Sequence, residues 1–342
     1  AGVYGIPAIH AKVTGGLTNM IGNAQYRGGA KPEPVYVLEV MVDVAARELG
    51  IDPIELRRRN TVGPDQMPFT TCFGDIYDCG DFVRNFEDCL KAGNYGGIDQ
   101  RRADSSTRGK ILGVGSSNSV TGVASTNFEH VEIRFDPSGN ITLLCGAMDH
   151  GQGHGTTFKQ VLGDSLGINP DKVQYRFGDT DKVAHGIGTF NARCAVFVSA
   201  AVINASEKII AKGKRIAAHL LEAADDDIEY GDGTFTVAGT DKTISLEEVA
   251  KTAFQKPKLP ADIEPGLYEH GEFGMGQGQM PTYPNGVHLA EIEIDSDTGK
   301  VELVRYTAVD DAGTILNPML FDGQVHGGIV QGAGQIMMED VH

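Results

Sequence analysis

Three glycine-rich segments, each standing immediately before a predicted helix, constrain this chain most strongly. They span residues 25–33, 151–157 and 186–194. Glycine lets the backbone approach a ligand with no Cβ in the way, and a helix N-terminus offers unpaired N–H groups and a partial positive charge. None of the segments is a Walker loop or a GxGxxG dinucleotide fingerprint. The residues alone therefore leave two interpretations open, a large polar cofactor held by glycine loops or a glycine-rich scaffold.

Composition narrows the class of protein. The chain has 342 residues, 41% of them apolar and 22% charged, which is typical of a folded protein of two or more domains. A net charge of −17 argues against nucleic-acid binding. We see no apolar run of the ~18–20 residues that a membrane span needs. Five cysteines without a CxxC pair favour free thiols in a reducing compartment, and so a cytoplasmic protein.

Hydrophobic periodicity predicts an α+β (mixed α/β) fold, with mixed sheets flanked by helices. Helices are predicted over 34–49, from 52, over 156–166, over about 195–223 and from 246. Strands are predicted over 131–135, 140–145, 173–177, 287–294 and 301–309. Residues 61–110 show no clear period and are predicted to be loop and crossover.

The signals around the first two helices are specific. Pro34 suits a first helical position and Gly50 the position after the end. The apolar face is predicted to comprise Leu38, Met41, Val42, Ala45 and Leu49. Asp52 is the predicted N-cap of the second helix, with Glu55 reaching back to it.

The two ends of the sequence suggest a part of something larger. The first residue is Ala1, and no signal-peptide pattern follows it. Residues 335–342 look like a helix or strand cut while in progress. We expect a piece of a longer polypeptide or a split subunit.

Six sequence motifs occur in an order that resembles one known family. They are YRGGAKPE at 26–33 with ELRRRN at 55–60, MPFTT at 67–71, GQGH at 151–154, GDTD at 178–181, AVDDAG at 308–313, and NP at 317–318 with GQVHGG at 323–328. In this order they resemble the molybdenum-cofactor-binding subunit of the xanthine dehydrogenase/oxidase family, whose members include aerobic carbon monoxide dehydrogenase. The resemblance covers essentially all of residues 1–342.

The resemblance implies molybdopterin-binding domains of the xanthine oxidase type. Residues 1–60 would be the C-terminal part of a first molybdenum-cofactor-binding domain, 61–108 a crossover or linker, and 109–342 a second such domain, truncated before the catalytic glutamate. The implied function is oxidative hydroxylation of an aldehyde or an N-heteroaromatic substrate, purine-like or nicotinate-like, with water as the oxygen source. The implied protein is thus a molybdenum-dependent oxidoreductase, active in a full complex.

The resemblance also implies a substrate site. Arg27 occupies the place of an arginine that faces the substrate, where a fixed guanidinium suits negative charge developing on oxygen. Tyr26, Gly28, Phe69 and Phe73 are expected beside it. Carbon monoxide dehydrogenases carry a copper-ligating cysteine at the position of Gly28, so a copper–molybdenum site is not expected here.

Ten residues match cofactor-binding positions of the family. They are Gly151, Gln152, Gly153, His154, Thr189, Phe190, Asn191, Arg193, Cys194 and Gln331. Gln152 can donate to and accept from a pterin edge, and Arg193 can contact a phosphate. The family usually has Gly-Ser-Arg-Ser at 191–194, so two hydroxyl donors are lost. The base glutamate of the family lies downstream of 324–327 and is not in this chain, and Glu272 is expected to be a surface carboxylate.

The implied cofactor is molybdenum–molybdopterin, expected as the cytosine dinucleotide, with the metal held through the pterin dithiolene and by no protein ligand. No iron–sulfur or flavin motif is visible, so 2Fe-2S clusters and FAD are expected on partner subunits, beside chains carrying the remaining molybdenum-subunit segments. Two alternatives stay open: a non-catalytic structural or cofactor-holding subunit, and an unrelated α/β nucleotide-binding module.

Overall fold

The structure is a computed structural model that describes residues 2–20, 22, 26–29, 31–123, 128–274 and 281–340. In chain order, the helices α1 to α8 span Pro32–Leu49, Pro53–Asn60, Phe82–Ala92, Ile98–Thr107, His154–Leu166, Cys194–Leu221, Leu246–Thr252 and Pro318–Met337. The strands β1 to β12 span Phe69–Thr70, Ile76–Tyr77, Lys110–Val120, Phe128–Phe135, Ile141–Cys145, Val173–Phe177, Ile228–Gly231, Thr234–Val237, Thr243–Ser245, Tyr268–Gly274, Asn285–Asp295 and Val301–Asp311. These elements confirm the α+β prediction.

The chain divides into two compact units. Unit 1 comprises residues 1–123 and 280–314, and unit 2 comprises 124–279 and 315–342. This partition differs from the predicted boundaries at 60 and 108, because strands β11 and β12 return to pair with β3 in unit 1. Pairing between segments distant in sequence leaves no local signal.

Unit 1 is built on the antiparallel sheet β12-β11-β3. The predicted hairpin is confirmed, with Val287 opposite Val309. Helix α3 covers this sheet, where Phe86 and Cys89 pack with Val287 and Leu289. The prediction that residues 61–110 are loop is therefore wrong, because α3 and α4 lie there and α3 buries a regular apolar stripe.

Helix α1 ends as predicted, with Gly50 in the left-handed region at φ 64°. Its predicted apolar face is partly wrong, since Met41 and Leu49 are each 63% exposed. The helix instead buries Glu39, which accepts a 2.8 Å hydrogen bond from Nε of the buried Arg57. Helix α1 thus buries an ion pair at a position outside its predicted apolar face.

Helix α2 confirms half of its predicted cap. The Asp52 carboxylate accepts from the N–H groups of Ile54 and Glu55. The Glu55 side chain does not reach back, because it pairs with Arg58 and Arg59 at 2.9 and 2.7 Å. Two neighbouring arginines compete successfully for its carboxylate.

Unit 2 is built on the sheet β10-β4-β5-β6, in which only β5 and β6 run parallel to each other. Helix α6 packs across β10 and β4 and against α5. The approach is close, since a Cβ on Gly271 would lie 1.9 Å from the carbonyl oxygen of Ala201. The side chains of α5 and α6 form the main core with the inner face of this sheet.

Helix α6 qualifies the expectation that no stretch could cross a membrane. By length and apolar composition, Cys194–Leu221 is sufficient for a span. Thirteen of its residues, among them Phe197, Val202 and Ile209, are buried within unit 2. A helix at the centre of a globular core passes the same test as a membrane helix, and α6 has that position here.

Candidate cofactor site

The first candidate segment, which we call the Gln152 loop (residues 148–155), connects β5 to α5. Asp149 organises it. One carboxylate oxygen accepts from the N–H groups of Gly151 and Gly153 at 2.9 and 3.3 Å, and the other accepts from Gly155 at 3.3 Å. Burial acts to raise the pKa of Asp149, but the three amide donors outweigh it and the pKa is lowered. Two of these N–H groups, those of Gly153 and Gly155, lie at the start of α5 and are thus bonded to a carboxylate of this chain.

The Gln152 side chain is half-buried and folded onto its own loop. Its Oε1 accepts from the N–H of His150 at 2.5 Å, and its Nε2 donates to the carbonyl of Met148 at 3.2 Å. The same Nε2 lies 3.1 Å from Nε2 of His154. A ligand that accepts from Nε2 in place of Met148 would therefore replace an existing hydrogen bond, whereas Oε1 keeps a second lone pair for a ligand donor.

His154 lies further inside than its predicted neighbours. Its side chain belongs to a residue only 7% exposed, and its ring lies 4.7 Å from that of Phe158. Burial lowers the pKa of His154 in spite of the nearby Asp149 charge. The His154 ring therefore packs inside the loop, against Phe158.

Gly151 and Gly153 serve different purposes in the Gln152 loop. Gly151 has φ 104° and open space where a Cβ would stand. Gly153 has φ 81°, and a Cβ there would lie 2.7 Å from Cδ1 of Leu320 on α8. Gly153 thus allows close packing, whereas Gly151 leaves bare backbone exposed.

The second candidate segment, which we call the Arg193 loop (residues 186–194), leads into α6. It meets the Gln152 loop directly, because the Thr189 hydroxyl donates to the carbonyl of Met148 at 2.6 Å. The backbones also cross closely, since a Cβ on Gly146 would lie 2.3 Å from Cα of Gly186. The structure therefore brings together two segments that the sequence predicted separately.

Arg193 differs from its expected role. The sequence suggested a phosphate contact, but the whole residue is buried and Nη1 donates to Oε2 of Glu129 at 2.7 Å. Nη1 also donates to the carbonyl of Gly188, and Nη2 to that of Phe128. The guanidinium faces the interior because Glu129, which sequence reasoning missed, provides a buried counter-charge on β4.

The other predicted residues of the Arg193 loop differ in exposure. Phe190 is exposed, whereas the Cys194 thiol is buried 3.5 Å from Oγ1 of Thr189, and burial raises its pKa. Asn191 and Ala192 both have positive φ, 50° and 53°. Asparagine tolerates this region better than most residues, which suits a position where the family usually has glycine.

Gln331 lies on the same helix as Leu320, which packs against Gly153. Asn317 fixes the start of that helix, with its Oδ1 accepting from the N–H of Leu320 and its Nδ2 donating to Gln160. Gln331 is eleven residues beyond Leu320, which is about 16 Å along the helix axis at the usual rise per residue. The shared helix places Gln331 in unit 2, well beyond the contact at Gly153.

The predicted substrate-site residues lie in unit 1. Tyr26 and Arg27 are exposed in a turn closed by a 2.8 Å hydrogen bond from the N–H of Gly29 to the carbonyl of Tyr26. Phe69 packs against Tyr77 in the hairpin β1–β2, and Phe73 is 62% exposed near its tip.

Gly28 has a strict steric reason to be glycine. Its φ is 105°, and a Cβ there would lie 2.7 Å from Cγ of Pro32. Any side chain at this position would have to displace the proline ring or the turn.

Glu272, the upstream Gly-Glu candidate, lies on β10 at the surface. Its side chain is 66% exposed and its Oε1 is 3.4 Å from Nδ1 of His130. This placement agrees with the expected surface carboxylate.

Comparison with known proteins decides the family. The molybdopterin cofactor-binding domain family matches residues 88–342, and a second family of the same description matches residues 1–61. The chain belongs to the xanthine oxidase family and carries its molybdopterin cofactor-binding domains. It is 36% identical to the carbon monoxide dehydrogenase large chain of Hydrogenophaga pseudoflava, over 97% of this chain and 43% of that protein. It is 33% identical to the nicotine 6-hydroxylase large subunit of Paenarthrobacter nicotinovorans, over 99% of this chain and 43% of that protein.

A solved structure agrees with the sequence relatives. Quinoline 2-oxidoreductase from Pseudomonas putida 86 matches with a TM-score of 0.82 and 33% identity, over 91% of this chain and 41% of that one. The chain therefore spans less than half the length of these relatives.

The residues of the two loops fit a pterin cofactor. Gly151 and Gly188 both have positive φ and open space at the Cβ position, so their backbone can approach a flat ligand. Gln152 offers both a donor and an acceptor beside them. The fit therefore depends on exposed backbone and one amide, as a large polar cofactor requires.

Proposed function

We propose that this chain is the cofactor-binding part of a molybdenum hydroxylase that oxidises an aldehyde or an N-heteroaromatic compound. The observation that carries the proposal is the 2.6 Å hydrogen bond between Thr189 and Met148. It joins the Gln152 and Arg193 loops in a chain of the molybdopterin-binding family. The bound cofactor, proposed as the cytosine dinucleotide, would supply the redox chemistry.

The two loops hold different ends of that cofactor. Gln152 exchanges its hydrogen bond to Met148 for the pterin edge. Asp149 already bonds the N–H groups of Gly153 and Gly155 at the start of α5, so the phosphate end goes to the start of α6, beside Thr189 and Phe190. Asn191 and Cys194 shape the backbone there, and Gln331 makes a contact from α8.

The turn at Gly28 supports an organic substrate over carbon monoxide. A copper-ligating cysteine at this position would need a Cβ in the space of the Pro32 ring, on a backbone with φ 105°. Two of the compared relatives are a nicotine 6-hydroxylase and a quinoline 2-oxidoreductase. We therefore propose a ring carbon or an aldehyde carbon as the oxidised atom.

Arg27 is the proposed catalytic residue of this chain. Negative charge grows on the substrate as its carbon is hydroxylated, and a fixed guanidinium stabilises that charge more in the transition state than in the ground state. Tyr26, Phe69 and Phe73 are proposed to line the pocket. The base, the iron–sulfur clusters and the flavin would come from other segments or partner subunits, in a cytoplasmic complex.

Replacing Arg27 by methionine tests this role. We expect Arg27→Met to lower substrate turnover by about 10²–10³, the usual effect of losing one such donor. Molybdenum content should stay near normal, because Arg27 lies outside the two cofactor loops. Arg84→Met, an exposed arginine of the same unit, is the matched control. Unaltered turnover of Arg27→Met with full molybdenum would contradict this role. If the unaltered complex oxidised neither aldehydes nor N-heteroaromatic compounds, a cofactor-holding subunit would be favoured instead.

A further inference from the structure

The ion pair between Arg193 and Glu129 is the most deeply buried charge pair among the described residues. Both side chains are 0% exposed, and Nη1 lies 2.7 Å from Oε2. Taking two charges out of water is costly, and an apolar pair of similar volume is often as stable. Stability alone therefore does not explain why this pair lies beneath the Arg193 loop.

The guanidinium fork connects three parts of unit 2. Besides Glu129, it bonds the carbonyl of Gly188 at 3.0 Å and that of Phe128 at 3.1 Å. It also lies 4.9 Å from the ring centre of Phe197 and 5.5 Å from that of Phe190. One side chain thus ties the first turn of α6, the first residues of β4 and the middle of the loop together.

The segment that this fork holds is strained. Asn191 and Ala192, immediately before Arg193, are consecutive L-residues with φ 50° and 53°. Such conformations persist only where the surrounding structure enforces them. On the other side of these residues, Thr189 donates to Met148 and so fixes the loop against the Gln152 loop.

We propose that Arg193 is a positioning residue that acts through Glu129 and Gly188 to hold the Arg193 loop in its ligand-binding conformation. It does not touch the cofactor. The proposal names the residues behind the proposed function and rests on that function for the identity of the ligand. The order of the loop itself can be measured with no cofactor present.

This role and a direct phosphate contact predict opposite effects at Glu129. If Arg193 bound phosphate, removing the Glu129 charge would free the guanidinium, and cofactor content would hold or rise. If Arg193 positions the loop, Glu129→Gln lowers cofactor content about as much as Arg193→Lys. Lysine keeps the charge but carries its three donors on one nitrogen, so it cannot reproduce the planar fork that bonds Glu129 and Gly188 through Nη1 and Phe128 through Nη2.

The test uses the intact complex with three variants of this chain: Arg193→Lys, Glu129→Gln and Arg215→Lys. Arg215 is the matched control, since it lies on the same helix and pairs at the surface with Asp262. Molybdenum and pterin are measured per complex. Deuterium exchange is then followed for residues 186–194 in cofactor-free protein, well below the thermal midpoint of each variant.

We expect both loop variants to lose about tenfold in molybdenum and pterin content and to exchange about tenfold faster at 186–194, the scale of one charged hydrogen bond. The control should match the unaltered protein. Full cofactor content in Glu129→Gln, or unchanged exchange at 186–194 in both loop variants, would overturn the proposal. If the unaltered complex holds no molybdenum, the proposed function fails, and the exchange rates alone decide the role of Arg193.

Discussion

The Gln152 and Arg193 loops carry the same sequence signature, glycines before a helix, yet they are stabilised in opposite ways. In the Gln152 loop a carboxylate, Asp149, bonds three backbone N–H groups near the surface. In the Arg193 loop an arginine faces the interior and bonds Glu129 and two backbone carbonyls. The Asp149 carboxylate thus accepts from backbone N–H groups of its own loop, whereas the Arg193 guanidinium donates to a carbonyl of its own loop, Gly188, and to Phe128 and Glu129 on β4. A glycine-rich helix start therefore does not by itself offer an anion site.

Breaking the ion pair under the Arg193 loop should have the largest effect on stability. Glu129→Ala leaves a fully buried guanidinium without its counter-charge, and we expect the free energy of unfolding to fall by about 3–5 kcal/mol. Denaturant titration followed by circular dichroism measures this. Asp262→Ala removes a partner of an exposed arginine and should change the free energy of unfolding far less. Equal losses in the two variants would contradict the contrast between buried and exposed pairs.

Removing the cap of the Gln152 loop should have a smaller effect. Asp149→Ala exposes the N–H groups of Gly151, Gly153 and Gly155 to water, and we expect a loss of about 1–2 kcal/mol, as for an N-cap. Denaturant titration measures this loss as well. The control is Asp164→Ala, because Asp164 is an exposed residue on the same helix, α5. A loss as large as that of Glu129→Ala would mean that the two loops are held equally strongly.

The smallest effect concerns pH and His154. Burial holds its pKa below the usual value of about 6.5, so the unfolded chain binds a proton more readily than the folded one. The resulting stability is complete above about pH 6.5 and is lost as the pH falls below it. Thermal midpoints at about pH 7.5 and 5.5 should therefore differ more for the unaltered protein than for His154→Asn. An equal difference in both would show that His154 does not titrate in this window.

Much of the fold was predictable because its signals are local. Strand β6 and the end of α1 at Gly50 follow from periodicity and glycine placement, and the structure confirms them. Helix α3 could have been found, since its buried residues Phe82, Phe86 and Cys89 recur at helical spacing. The pairing of β3 with β11 could not, because the partners are separated by some 170 residues.

The two glycine loops of the candidate site could be picked out in the sequence, but the direction of their side chains could not. Glycines and Gln152 marked the loops, and Asp149, just before the glycines, was an available signal for the cap. Whether Arg193 faces a ligand or the interior depends on Glu129, 64 residues away in sequence. No pattern in the sequence predicts that contact, since it forms only when β4 packs against α6.

Metal analysis of the native complex, purified through this chain, tests the central claim that the two loops hold a molybdenum cofactor. We expect molybdenum stoichiometric with the chain, together with an organic pterin phosphate. In a Gln152→Ala variant, which loses the amide proposed to bind the pterin edge, both should fall in parallel. Active, pure complex with no molybdenum, or full molybdenum in that variant, would contradict the account.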